Sequence, residues 1–355
     1  MSDIQIVLAL IPIELGMHFL ITGHTGFKGS WLTLLLKELG HQVSGYSLGF
    51  EKHSLYALAS LHGEMSSEGL DNILDFEAFS TFATKVNPDV FIHFAAQSLV
   101  RESYRNPLET YDVNVGGTSN FLKVVQRVNK DAVCLVITTD KVYLDLGRNE
   151  EFGESDPLMG SEPYGQSKAI ADLLSQYWMR NQLLSRIAIA RAGNVIGGGD
   201  ISPERLMPEL IQSYSAGKEP ILRFPNAVRP WQHVLDCLNG YLTIVKDLTI
   251  DGKSDIWNIG PDSASQVSVQ SVQERTAAHF GKEKNLRLGS VPEFLETNFL
   301  ALNSEKIRRE LGWSNKYDLE TSISETVSWH LRVQNGEAPK EVSIRQIQKF
   351  LSFGL

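Results

Sequence analysis

Residues 22–29 have the sequence Thr22-Gly23-His24-Thr25-Gly26-Phe27-Lys28-Gly29, a glycine-rich turn between two ordered segments. The apolar run before the turn predicts a strand, and the residues after it have apolar side chains at helical spacing. A strand, a Gly-x-x-Gly-x-x-Gly turn and a helix place backbone N–H groups and a helix N-terminus where a pyrophosphate can bind. The turn therefore predicts a dinucleotide site that is formed by Gly23, Thr25, Gly26, Phe27 and Gly29.

Strands and helices alternate through the first half of the chain. The runs 90–94 and 132–138 are almost continuously apolar, as is typical of strands that are buried on both faces of a parallel sheet. We therefore predict an α/β fold, a Rossmann-type doubly wound parallel sheet with a smaller, mainly C-terminal substrate-binding lobe. The predicted strands are 17–22, 42–47, 90–94, 132–138, 186–191 and 256–259, and the main predicted helices are 27–39, 108–128, 164–180, 204–215, 231–245, 267–280, 321–331 and 342–350.

The second half of the chain differs in composition, because loops that contain glycine and proline replace the apolar strands. We predict a dinucleotide-binding domain over 17–192, with returning segments near 229–259, and a lobe that comprises 193–228 and 260–355. Residues 1–16 are predicted to be a leader outside the fold. Residues 4–21 approach the length of a membrane span, but the polar residues within them would be costly in hydrocarbon. No basic region precedes them, so a signal peptide is disfavoured and we expect a cytoplasmic protein.

Composition excludes several classes of function. The formal net charge of −9 argues against non-specific binding to nucleic acid. The two cysteines, Cys134 and Cys237, both lie in apolar contexts, which favours buried free thiols in a reducing compartment over a disulfide. We expect no metal site, and an anionic substrate would need a local cluster of positive charge.

A reactive pair is predicted at Tyr164 and Lys168, which share one face of a helix because they are four residues apart. Tyrosine with its ordinary pKa of about 10 is a poor base at neutral pH. A nearby ammonium group favours the phenolate, so we expect Lys168 to lower the pKa of Tyr164. Thr139 closes a predicted strand and could hydrogen-bond the same alcohol. These three residues predict an enzyme that oxidises an alcohol with a nicotinamide cofactor.

Asp140 and Lys141 follow Thr139 directly. Elimination of water across two adjacent carbons needs a proton donor for the leaving hydroxyl and a base for the neighbouring C–H, and these two residues could supply both. An ordinary solvated turn is the alternative for the pair in isolation. The acidic residue that would bind the adenosine ribose is missing at the end of the second strand, so this site does not choose between NAD and NADP. Asp71 and Asn72 are candidates for the adenine edge.

Several motifs resemble those of the CDP-glucose 4,6-dehydratases, a branch of the extended short-chain dehydrogenase/reductase family. The resemblance covers about residues 17–335, and its motifs are residues 22–31, 93–101, 138–143, 190–200, 228–234 and 311–313. It implies bound NAD and a reaction in which CDP-glucose becomes CDP-4-keto-6-deoxyglucose, a step of deoxysugar biosynthesis. Tyr164 would take the proton of the sugar 4-hydroxyl, Lys141 the C5 proton, and Asp140 would protonate the departing C6 hydroxyl.

The same resemblance suggests substrate-binding residues and an assembly. Asn194 would hold the sugar or the phosphates, Arg205 and Arg229 the diphosphate, and His233 would assist them. A homodimer, or a homotetramer, would pair the helices over 108–128 and 164–180. Two other functions remain open: a nucleotide-sugar 4-epimerase of the same fold, and a non-catalytic dinucleotide sensor.

Overall fold

A twisted parallel sheet of seven strands forms the centre of the computed structural model. The structure describes residues 16–145, 147, 149–250, 252–289 and 297–353. The predicted leader lies outside these residues, apart from Gly16. The strands are β1 (His18–Thr22), β2 (Gln42–Ser47), β3 (Ser67–Leu70), β4 (Val90–His93), β5 (Val133–Thr139), β6 (Arg186–Ala192), β7 (Val195–Ile196), β8 (Ile221–Leu222), β9 (Val228–Pro230), β10 (Gln232–His233), β11 (Ile256–Ile259), β12 (Gln266–Ser268) and β13 (Arg287–Leu288).

The sheet has the strand order β11-β6-β5-β4-β1-β2-β3, and every pairing in it is parallel. The order reverses between β1 and β4, which creates a crevice at the carboxyl ends of the strands where such sheets bind ligands. The α/β fold class and the Rossmann-type sheet are confirmed. β3 was not predicted, because its sequence Ser-Glu-Gly-Leu is short and polar.

Helices cover both faces of the sheet. The helices are α1 (Phe27–Glu38), α2 (Leu55–Leu58), α3 (Phe76–Val86), α4 (Val100–Arg105), α5 (Pro107–Tyr111), α6 (Gly117–Asn129), α7 (Pro163–Arg180), α8 (Leu206–Ser215), α9 (Val234–Thr249), α10 (Val269–His279), α11 (Glu305–Leu311), α12 (Leu319–Gln334) and α13 (Pro339–Ser352). Successive residues of β5 alternate between two cores: Leu135 packs with α1, α9 and α13, whereas Cys134 packs with α3, α6 and α7. This two-sided burial explains the continuous apolar runs in the sequence.

The predicted helix over 108–128 contains a π-helical segment, Asp112–Gly116, between α5 and α6. Its buried Asn114 donates to the Ser167 hydroxyl at 2.8 Å and to the Gln97 carbonyl at 3.0 Å. The segment thereby ties the loop after β4 to α7. Helical periodicity alone could not locate this extra residue per turn.

The lobe has a separate core, in which α8 and α10 pack with part of α12. The domain division stays a prediction, and the packing favours one change to it: the last helix shares the core of the sheet through Val342, Ile347, Phe350 and Leu351 and contacts α1. We therefore propose that α13 belongs with the sheet domain. Within the described ranges, no helix combines the length and apolarity that a bilayer crossing requires.

Candidate active site

A cleft of about 630 Å³ lies at the carboxyl ends of the sheet strands, between the sheet and the lobe. The glycine turn forms one end, the ends of β5 and β6 form the middle, and α8 with the chain around β8 and β9 forms the other end. Most of the predicted site residues line this single space. They are Gly23, Thr25, Gly26, Phe27, Gly29, Asp71, Asn72, Thr139, Asp140, Lys141, Tyr164, Asn194, Arg205 and Arg229.

The glycine turn allows a ligand to approach its backbone closely. Gly23 has a φ of +75°, and a Cβ there would lie 2.7 Å from the backbone nitrogen of Ala95, so no other residue fits without a shift. The Gly26 N–H donates to the Gly23 carbonyl at 3.2 Å, and α1 begins at the next residue. The N-terminal turn of α1 therefore opens towards the cleft with the geometry that suits a pyrophosphate.

The far side of the glycine turn is polar but carries no carboxylate at the end of β2. The Thr25 hydroxyl hydrogen-bonds the Ser47 hydroxyl at 2.8 Å. The carboxylate of Glu68 on β3 is engaged by His24, whose Nε2 lies 2.8 Å from Glu68 Oε1. Asp71 and Asn72, the candidates for the adenine edge, follow β3 and line the cleft.

Tyr164 and Thr139 meet in the middle of the cleft, where their side chains are hydrogen-bonded. Burial raises the pKa of Tyr164 to about 12, and the Arg205 guanidinium and the bond from Thr139 only partly offset this. The expectation that Lys168 lowers this pKa is therefore not met. Lys168 lies buried behind the cleft, where its Nζ donates to the Ile137 carbonyl at 2.8 Å. Burial and the nearby Lys28 ammonium lower its own pKa to about 8.

Asp140 is only 4% exposed and lies between Thr139 and Gly193. Its Oδ1 accepts from the Thr139 hydroxyl at 2.9 Å, whereas its Oδ2 is buried without a hydrogen-bond partner among the described residues. A Cβ at Gly193 would lie 3.1 Å from this Oδ2 and 2.5 Å from Pro230, so the glycine makes room for the carboxyl group. Burial raises the pKa of Asp140, although Lys141, Thr139 and two arginines act in the opposite direction. The buried acid is not a solvated turn residue.

Lys141 lies at the edge of the cleft, and its side chain is 20% exposed. Its Nζ is 3.7 Å from Oε1 of Glu162, a buried carboxylate that precedes α7. Glu162 was not predicted, because an acidic residue before a helix usually signals only a cap. Lys141 and Asp140 point into the same cleft from adjacent positions of a 3₁₀ turn, Asp140–Val142.

The lobe side supplies two arginines and an amide. Arg229 is buried, and its Nη1 donates to the Val228 carbonyl at 2.7 Å. Arg205 reaches across the cleft, where its Nη2 donates to the Ser98 carbonyl at 3.3 Å. Asn194 lines the cleft just after β6. Both guanidinium groups lower the pKa of Asp140, which puts their positive charge near the reacting groups.

The structure does not bring His233 to the cleft lining. Its side chain is completely buried, and its Nδ1 accepts from the Leu235 N–H at 3.3 Å at the start of α9. Burial lowers its pKa to about 3, so it carries no positive charge for a diphosphate. The resemblance implied that His233 assists the arginines, but Arg229 lies on β9 and His233 on the separate strand β10. This correction leaves His233 with a capping role.

Lys28 of the glycine turn was not predicted as a functional residue. Its side chain is buried in the cleft wall, with Nζ 3.2 Å from the Tyr241 hydroxyl. It shifts the pKa of Lys168, although the two residues are far apart in sequence. In the part of the chain that the structure describes, no group of three or more His, Cys, Asp or Glu residues is arranged to hold a metal ion.

Comparison with known proteins finds relatives that match almost the whole chain. A family model described as GDP-mannose 4,6 dehydratase matches residues 20–326. The CDP-glucose 4,6-dehydratase of Salmonella typhimurium is 35% identical over 349 residues, which cover 95% of this chain and 97% of that protein. The UDP-glucose 4-epimerase of Halalkalibacterium halodurans is 29% identical and covers 90% of this chain, and 97% of its own length is matched.

Solved structures show the same architecture. The crystal structure of dTDP-glucose 4,6-dehydratase from Bacillus anthracis in complex with NAD has a TM-score of 0.78 and 25% identity to this chain. The match covers 92% of this chain and all of that chain. Both the sheet and the lobe therefore have counterparts in that protein.

Proposed function

Because the chain belongs to the nucleotide-sugar 4,6-dehydratase family that the GDP-mannose 4,6 dehydratase model represents, we propose that it converts CDP-glucose to CDP-4-keto-6-deoxyglucose and water. One structural observation, in addition to the family assignment, supports an elimination reaction. Asp140 is a buried acid that lines the cleft together with Thr139 and Tyr164, and its Oδ2 has no hydrogen-bond partner among the described residues. An alcohol oxidation alone needs no such acid, whereas an elimination does.

The cleft fits NAD as the resident cofactor. The close approach at Gly23 and the open N-terminal turn of α1 form a cradle that a Cβ would fill, and Thr25 extends its polar wall. Asp71 and Asn72 would meet the adenosine end. When bound, NAD⁺ accepts a hydride from the sugar and later returns it, so the overall reaction consumes no cofactor.

Tyr164 is the proposed acceptor of the proton from the sugar 4-hydroxyl, and Thr139 would hydrogen-bond the same oxygen. Since burial holds the Tyr164 pKa at about 12, the phenol form dominates at neutral pH. The positive charge of Arg205 and the hydrogen bond with Thr139 are the two influences here that lower the pKa of Tyr164. Lys168, which lies behind Tyr164 and Thr139, would stabilise negative charge there as a cation with a pKa of about 8.

Asp140 and Lys141 are the proposed elimination pair. The C–H bond at C5 breaks as Lys141, in its amine form, accepts the proton, and the C6–O bond breaks as the Asp140 carboxylic acid gives its proton to the leaving hydroxyl. The raised pKa of Asp140 favours the protonated form that this step requires. C5 then regains a proton and C6 gains the hydride, so the sugar is oxidised at C4 and reduced at C6. Because the two groups are adjacent and coupled, the donor and the base can exchange roles.

Heavy water tests this reaction directly. The protein would be incubated with NAD and CDP-glucose in heavy water, and the product analysed by NMR. A 4-keto-6-deoxy sugar that carries deuterium at C5 supports the proposal. An unlabelled C4 epimer would instead support the 4-epimerase alternative. The similarity of this chain to the Halalkalibacterium UDP-glucose 4-epimerase is the reason to test for it. Intact CDP-glucose together with turnover of another nucleotide sugar would contradict the choice of nucleotide.

We also propose that the chain forms a homodimer in the cytoplasm. α5 and α7 expose large apolar side chains on one side of the sheet domain: Leu108, Ile170, Leu173 and Tyr177. Such a surface favours a protein partner. The buried Cys134 and Cys237, which form no disulfide, suit a reducing compartment. Light scattering should give twice the mass of the chain for the native protein and the monomer mass for Leu173→Glu; an unchanged mass in that variant would contradict this interface.

A further inference from the structure

An ion pair between Glu209 and Arg223 lies at the lobe end of the cleft. Arg223 Nη2 donates to both carboxylate oxygens, at 3.1 and 3.2 Å. The two side chains line the cleft and are 33% and 27% exposed, respectively. The proposed catalytic steps do not use either residue, so the pair is an ordered polar feature of the cleft with no assigned role.

The position of the pair relative to the reacting groups indicates which part of a substrate it would meet. Arg205 and Arg229 both lower the pKa of Asp140, whereas neither member of the pair is among the principal groups that shift this pKa. Glu209 lies on α8 one helical turn beyond Arg205, which is about 5.4 Å further along the axis. The two arginines therefore lie near the reacting groups, and the ion pair lies at the lobe end of the same cleft. A nucleoside diphosphate sugar has its sugar, diphosphate and nucleoside in that order.

The surroundings of the pair suit a flat ring. Phe224 follows Arg223 directly and lines the cleft, as do Trp231 and Val269. The loop that carries Phe224 is fixed by a backbone bond from Gln270 N–H to the Pro225 carbonyl at 2.9 Å. Aromatic side chains provide stacking surfaces for nucleobases. A stacking surface next to a charged pair can therefore hold a base and also contact its edge.

On the proposed function, we propose that the Glu209–Arg223 pair reads the edge of the nucleobase and selects cytosine. Cytosine presents an N4 amino donor beside the N3 and O2 acceptors, and a glutamate accepts well from N4. The guanidinium group has five N–H donors and the carboxylate about four acceptor positions, so both keep capacity after binding each other. Uracil and thymine present an acceptor at O4 and a donor at N3. The O4 acceptor would face the Glu209 carboxylate, which also only accepts, and the N3 donor would face the Arg223 guanidinium, which also only donates. Both bases are therefore disfavoured.

Calorimetry with CDP and UDP tests this inference without turnover. The NAD-loaded native protein should bind CDP at least about 10-fold more tightly than UDP, as a hydrogen-bonded base edge predicts. In Glu209→Gln, whose amide can donate to O4 as well as accept from N4, the ratio should fall to within about 3-fold. Glu219→Gln is the matched control, because Glu219 pairs with Arg287 at 2.9 Å in the same lobe and does not line the cleft. It should keep the native ratio.

Two results would overturn the inference: native protein that binds UDP as tightly as CDP, or Glu209→Gln that keeps the native ratio. Failure of the proposed reaction is distinguishable from both. If CDP-glucose is not turned over but the preference for CDP persists and is lost in Glu209→Gln, the base reading stands and the reaction does not. If CDP-glucose is turned over, Glu209→Gln should raise its KM by no more than about 3-fold, because the amide still accepts from N4, while its KM for UDP-glucose falls.

Discussion

Replacing Asp140 by asparagine should remove the proton donor of the elimination while the structure around it is kept. The asparagine Oδ1 can still accept from the Thr139 hydroxyl at 2.9 Å, and the amide nitrogen fits the space that Gly193 leaves beside Oδ2. A positioned acid contributes about 10²- to 10⁴-fold to a rate. This range corresponds to about 3–5 kcal/mol in the activation free energy of elimination. We expect kcat to fall by this factor and KM for CDP-glucose to change little.

Single-turnover measurement separates this loss from a loss of alcohol oxidation. When Asp140 is ionised its charge raises the pKa of Tyr164, and asparagine is neutral at every pH, so Asp140→Asn should not weaken Tyr164 as a base. Reduced cofactor should therefore accumulate in the variant while deuterium-labelled product forms slowly. Asp236→Asn is the control, since Asp236 is also a buried carboxyl with a raised pKa, about 7, but lies outside the cleft. A kcat within threefold of native for Asp140→Asn, or a proportional loss of cofactor reduction, would refute the role of Asp140 as the acid.

Three further predictions concern the other reacting groups. Tyr164→Phe should reduce turnover at least about 100-fold while calorimetry still detects NAD binding, and near-native turnover would contradict its role as the base. Lys141→Met should slow deuterium incorporation at C5 much more than it weakens binding of CDP, and equal losses would argue for a binding role. Lys28→Met should raise the pKa of Lys168, because it removes a repelling ammonium. The alkaline limb of the pH–rate profile should then move to higher pH, and an unmoved limb would mean that Lys168 does not control that limb.

The sheet could be predicted from the sequence because its signal is local. The strands 42–47 and 256–259 have the predicted bounds, and the other predicted strands of the sheet differ by one residue at one end or, for 132–138, at both ends. Residues that alternate between two apolar cores make a continuous apolar run, and polar turns delimit it. β3 is the exception, since its edge position lets polar residues form a strand.

The electrostatics of the site could not be predicted in the same way. The spacing of Tyr164 and Lys168 places them on one helix, but the Lys168 ammonium reaches the Ile137 carbonyl and burial dominates the Tyr164 pKa. The Glu209–Arg223 contact joins residues of different elements, each of which looks like an ordinary surface charge in the sequence. Such contacts depend on tertiary packing, which no local pattern encodes.

Burial acts on the reacting groups in opposite directions, and this links the fold to the proposed chemistry. Removal from water disfavours every charged form, so it raises the pKa of the Asp140 carboxyl and lowers that of the Lys168 ammonium. The two values move towards neutral pH, where proton transfer is most efficient. The pKa of Tyr164 moves away from neutral pH, to about 12, so the use of Tyr164 as a base depends on positive charge in the cleft. Arg205 is the largest such influence among the described residues, and it extends from the lobe to the sheet. The contact between lobe and sheet is therefore what supports the base.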